Sequence, residues 1–280
     1  MARILNEKEI EQLGIVKELL KDFSAAQVVE IFWGIIRGLD VSRYANADYN
    51  RSQMREIRNG LENGVDVSRY ADLKFSDLQM HEIREGLESV IDVSLYARPE
   101  FKHSQMRLIR KGLEAGVDAS IYTDPQFEQS QMCQVLAGLL DNLDVSLYAD
   151  QKFNSYQMSE IRHGLEKGVD VSIYADPKYD YNQMREIRIG LKNGIDVSSY
   201  ADPKFNDWQM KIIRTGLEEV LDVSVYANAE FSAEQMIQIY LGLVNGVDVS
   251  VYANPKKDPE QMESIRKRLK AIAERNSGKK

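Results

Sequence analysis

Apolar residues recur along this chain at two nested spacings. Met158, Ile161, Leu165 and Val169 follow one another at steps of 3, 4 and 4 residues, which places them on one stripe of a helix. Ser159, Glu160, His163, Glu166 and Lys167 fall on the other side, so the segment reads as an amphipathic surface helix. The whole string then returns every 26 residues, opened each time by a glutamine: Gln27, Gln53, Gln79, Gln105, Gln131, Gln157, Gln183, Gln209, Gln235 and Gln261. A fixed period of this length predicts stacked units that bury their apolar stripes against one another. The fold class expected is therefore all-α: an α-solenoid, or superhelix, of tandem 26-residue repeats, each a long helix plus a short helical turn. Residues 1–22 read as an N-terminal capping helix, residues 23–257 as nine tandem repeats, and residues 258–280 as a C-terminal capping helix with a basic tail.

Each helix start is written into the sequence. Ser24, Asn50, Ser76, Asn154, Asp180, Asn206, Ser232 and Asp258 are good N-caps, and the recurring glutamine stands three residues after each, as in a capping box. The aromatic residue just before the cap, such as Phe153, can staple onto the methionine that follows the glutamine. Lys102 and Glu128 are weaker caps, and their helices are expected to fray more. Asp-Val-Ser-x-Tyr-Ala then ends the helix and opens a short turn capped by its aspartate. Glycine stands at the eighth position from the glutamine in all nine full copies and at the twelfth in six. Mid-helix glycine costs about 1 kcal/mol against alanine. The expected compensation is close packing of the next repeat at both positions. In the last copy Arg268 replaces the glycine, in line with an end at which no further repeat docks.

Three copies depart from the polar outward face. Val29, Phe32, Trp33 and Ile36 occupy it in the first. Cys133, Leu136, Ala137 and Leu140 do so in the copy opened by Gln131, and Ile237, Tyr240, Leu241 and Val244 in the copy opened by Gln235. The preceding copies carry Leu108 and Ile212 where glutamate is usual. The departures lie 104 residues apart, four repeats. Block duplication accounts for that spacing, packing of one superhelical turn on the next accounts for the hydrophobes, and a surface for a partner protein or a second copy accounts for them as well. Val29, Phe32, Trp33, Ile36, Cys133, Leu136, Leu140, Ile237, Tyr240, Leu241 and Val244 are the candidate partner-binding residues.

Composition narrows the function classes. A net charge of −8 disfavours direct nucleic-acid binding. No apolar run approaches 18 residues, so no membrane span is expected, and the first residues lack a signal-peptide core, which makes the cytoplasm the expected location. The single cysteine excludes an intrachain disulfide framework. His81, His103 and His163 share no metal-type spacing, and the Asp-Val-Ser aspartates supply one carboxylate per unit, too few for calcium. No phosphate-binding loop, nucleophile elbow or dinucleotide fingerprint is present, so neither catalysis nor a cofactor or metal is expected. Arg58, Arg84, Arg110, Arg162 and Arg214 each precede a glutamate by four residues, the spacing of a helix-surface ion pair.

The motif QMxxIRxGLExGxDVSxYADPxF resembles tandem repeats of uncharacterised bacterial proteins, many of them carried on phages and conjugative elements, over about residues 23–275. The resemblance implies mobile-element cargo that engages or blocks host machinery, and it carries over no catalytic residues. The function expected is a non-catalytic scaffold that binds a partner protein through its superhelical surface. The alternatives are an inhibitor of a bacterial defence system (anti-CRISPR-like) that uses an acidic surface, and a protein that sequesters a small nucleotide.

Overall fold

The computed structural model describes residues 21–277, together with Gly14 and Glu18, and the side chains through Arg275. The leading helix expected over residues 1–22 thus lies almost wholly outside the described residues. Among the described residues there are α-helices, short 3₁₀ turns and no strand. The helices are α1 (Ala25–Ile36), α2 (Arg51–Glu62), α3 (Asp77–Glu88), α4 (His103–Glu114) and α5 (Gln129–Leu140), then α6 (Ser155–Glu166), α7 (Tyr181–Lys192), α8 (Asp207–Glu218), α9 (Ala233–Val244) and α10 (Pro259–Ser277). The chain divides after Leu140 into two compact units. Within the first, each helix from α1 to α5 packs on its successor, and within the second α6 to α10 do the same. The molecule is a helical solenoid of 26-residue repeats, built by serial contact between neighbours.

The recurring glutamine does two jobs. Its Oε1 accepts from the N-cap N–H, as at Ser76 (2.8 Å) and Asp180 (2.7 Å), while the cap side chain receives the glutamine N–H in return. Its Nε2 also donates to a carbonyl of the next repeat: Gln53 to Phe75 (2.8 Å), Gln79 to Phe101 (2.7 Å), Gln183 to Phe205 (2.6 Å) and Gln209 to Phe231 (2.6 Å). The capping box was legible in the sequence; the clip to the following repeat was not. Lys102 gives no side-chain cap, yet its N–H still bonds Gln105 at 2.8 Å. The Glu128 N–H reaches Gln131 at 2.7 Å in the same way.

The stripe residues Met54, Ile57, Met184 and Ile187 are fully buried with the tyrosine that ends each turn. In the turn, Asp118 accepts from the N–H and hydroxyl of Ser120, and these bonds hold its carboxyl below the usual range. The same pattern at Asp66, Asp92 and Asp196 shows why the aspartates recur: they cap.

The glycines have a different cause from the one expected. A Cβ on Gly164 would lie 1.9 Å from the Tyr174 hydroxyl of the same repeat, and one on Gly60 would lie 1.9 Å from that of Tyr70. The glycine thus makes room for its own repeat's tyrosine, which crosses the helix and donates to a backbone carbonyl one turn earlier: Tyr70 to Glu56 (3.0 Å), Tyr174 to Glu160 (3.2 Å). Arg268 fits this account, because its copy has no tyrosine ten residues on. The other glycine, exemplified by Gly64 at φ 72°, is not near a neighbour at all. It is the left-handed residue that closes the helix, and Val65 N–H then returns to the Gly60 carbonyl at 3.0 Å. Val90 and Val220 take that left-handed conformation without glycine, at φ 58° and 59°, a strained choice for a β-branched side chain.

Candidate interaction face

The seam between consecutive helices is closed by a charge ladder. The glutamate three residues after the glutamine accepts from the arginine 28 residues on, in the next helix. Arg58 reaches Glu30 (3.1 Å), Arg84 reaches Glu56 (2.9 Å) and Arg110 reaches Glu82 (2.9 Å) in the first unit. Arg188 reaches Glu160 (2.8 Å) and Arg214 reaches Glu186 (2.9 Å) in the second. Arg266 closes the last seam on Gln238 at 3.0 Å. The expected pairs within each helix form too, for example Arg214 with Glu218 at 2.7 Å, so one guanidinium fork serves two carboxylates. Burial opposes the charge on Arg84, but its bonds to Glu56 and Glu88 outweigh that, and the guanidinium is held charged. Glu30 and Glu82 are 2% and 1% exposed. Part of what the helical wheel assigns to solvent is therefore the joint between repeats.

The ladder explains Leu108 and Ile212. They occupy the glutamate register, and Leu136 and Tyr240, 28 residues on, occupy the arginine register. Each apolar substitution is matched by one in its partner, since a lone buried charge would cost about 3–5 kcal/mol. Leu136 is accordingly buried at 7% exposure, a core position rather than a contact surface. Phe32, Ala137, Tyr240 and Leu241 are half-buried. Val29, Trp33, Ile36, Cys133, Leu140, Ile237 and Val244 are exposed. Partial burial raises the Cys133 thiol above its ordinary pKa, which is the wrong direction for a nucleophile.

At the α8/α9 seam the apolar pair leaves a hollow. Its volume is about 220 Å³, lined by Trp208, Lys211, Ile212 and Thr215 from α8 and by Ile237, Tyr240 and Leu241 from α9. Tyr240 turns its hydroxyl outward to Glu219 (2.7 Å), so its ring forms a wall. Trp208 is 60% exposed with the Lys211 ammonium 5.1 Å from its ring. On the other side of Trp208 a polar slot of about 160 Å³ is lined by Asn182, Arg185, Glu186, Asp207, Trp208 and Lys211. Tyr156 and Tyr181, also exposed, stack at 5.2 Å at the starts of α6 and α7. Trp208, Tyr156 and Tyr181 escape a reading of the outward helix face, because they sit in the first turn beside the cap. Their signal is an aromatic residue between cap and glutamine, where the other copies carry mostly small, polar or charged residues and, in one, Leu78.

Among the described residues no three histidine, cysteine, aspartate or glutamate side chains gather as a metal site, and no helix is long and apolar enough to cross a membrane. Compared with protein-family models, curated proteins and solved structures, the chain matches none of them.

Proposed function

We propose that this helical-repeat chain is a non-catalytic scaffold that binds a partner protein through exposed apolar and aromatic side chains on its helix faces. The observation that carries the reading is the α8/α9 seam, where the charge ladder lapses and Trp208, Ile237 and Leu241 line an open apolar hollow. Exposed tryptophan and tyrosine with arginine nearby is the composition that dominates protein-binding energetics. The alternative of an acidic surface occupying a basic groove has less to stand on, because Glu30, Glu56, Glu82, Glu160 and Glu186 are already engaged by arginines. Engagement of host machinery by a mobile-element protein, which the motif's resemblance implies, belongs to the same proposal.

The test is photo-crosslinking in cells, with a benzophenone amino acid placed at position 33, 140 or 237, and at position 159 as a polar-face control. One defined protein captured from an apolar position and absent from the control supports the reading. Capture from none of the three apolar positions overturns it.

A further inference from the structure

The hollow and the slot beside Trp208 are neighbours with different chemistry. Trp208 and Lys211 line both. The hollow's 220 Å³ falls short of the roughly 300–1,000 Å³ typical of cofactor and small-ligand sites. It exceeds the roughly 150 Å³ that accommodates a benzene ring. Its walls are rings and aliphatic chains, so an occupant is held by apolar contact alone.

The charges around it are unequally committed. Glu186 is engaged by Arg214 (2.9 Å) and Glu219 by the Tyr240 hydroxyl (2.7 Å). Asp207 and Glu234 sit in the first turns of α8 and α9, where the helix dipole favours them. Lys211 stacks on Trp208 and has no ion pair among those described. Arg185 is half exposed and only 3.9 Å from Glu160, which Arg188 already holds at 2.8 Å. Of the charges that line the slot, Glu186 is held by Arg214, which leaves the Lys211 ammonium and the long-paired Arg185 guanidinium against the single carboxylate of Asp207, a net cationic lining.

Resting on the protein-binding reading, we infer that this double site takes a short acidic segment of a partner protein. It seats one phenylalanine- or leucine-sized side chain in the hollow and an adjacent carboxylate in the slot against Arg185 and Lys211.

The test uses the full chain carrying Trp33→Phe, which leaves Trp208 as the only tryptophan and hence the sole fluorescence reporter. The probes are three capped pentapeptides: phenylalanine between paired aspartates, the same with lysines for aspartates, and the same aspartates around alanine. The aspartate–phenylalanine peptide should change Trp208 emission saturably, with at least tenfold weaker binding for each of the other two. Ile237→Asp should abolish that binding, and Leu241→Ala should weaken it, with helicity retained. Arg185→Ala combined with Lys211→Ala should remove the preference for aspartate over lysine while keeping the need for phenylalanine. Equal binding of the lysine or alanine peptide, or no saturable change at millimolar peptide with the fold intact, overturns the inference. If crosslinking from position 237 still captures a protein in that case, the scaffold reading survives and only the acidic-anchor assignment falls. If crosslinking is also empty, both fall.

Discussion

The α4/α5 seam of the first unit and the α8/α9 seam of the second lack the same ion pair, yet they end in different surfaces. At the first, Leu136 is buried, and its Cδ1 comes within 3.4 Å of where a Cβ on Gly112 would stand. Its neighbours in register are small: Ser104, Cys133 and Ala137. At the second, the corresponding residues are Trp208, Ile237 and Leu241, and Tyr240 is drawn outward by Glu219. Removing a buried charge pair therefore does not by itself create a site. The size of the residues around it, and a polar handle that holds one ring upright, decide between core and hollow.

The largest expected effect tests what the two units share. Burial pushes the Tyr44 hydroxyl, in the first unit, and that of Tyr252, in the second, up to about 12, and seven further tyrosines higher still. A raised folded pKa means the unfolded chain loses its proton first. Stability is thus complete below about pH 10 and is lost as pH rises through 12 and beyond. Both units should unfold in one alkaline transition, with helical ellipticity and the tyrosinate absorbance of these nine buried rings changing together. Ionisation of those nine buried tyrosines while ellipticity persists would break the account of the glycine–tyrosine pair.

Next in size, Leu108→Glu and Ile212→Glu should each cost about 4 kcal/mol in urea denaturation, because each plants a carboxylate with no arginine opposite. Adding Leu136→Arg to the first, or Tyr240→Arg to the second, should recover most of that loss. Only the second pair should abolish peptide binding, since only it closes a hollow. Gly112→Ala and Gly216→Ala should then cost about 3 kcal/mol each, overpacking and a lost buried hydrogen bond outweighing the gain in helix propensity. Equal losses in the two units would show that the tyrosine, not the seam, requires the glycine. Smallest, Val90→Gly and Val220→Gly should raise stability by about 1 kcal/mol each in thermal melts, by relieving left-handed strain at side chains that are 91% exposed. A fall instead would mean that those valines make contacts not seen in the single chain.

The sequence by itself determined the repeat, the helix starts, the capping box, the aspartate caps and the apolar stripe through Leu165; Val169, read as the last member of that stripe, lies beyond the end of α6 at Glu166. Each of these is a contact between residues a few positions apart, and short-range chemistry is legible as spacing. It also flagged Leu136, Ile237 and Tyr240 as departures, because a broken pattern is visible wherever the pattern is strong. Only the tertiary structure decided what those departures mean. Glu186 reaches Arg214, Gln183 reaches Phe205 and Trp208 flanks Ile237 across a seam whose register depends on how one helix lies on the next. A helical wheel places every residue relative to its own axis and none relative to its neighbour's. It therefore assigned to water a face that is part joint and part hollow.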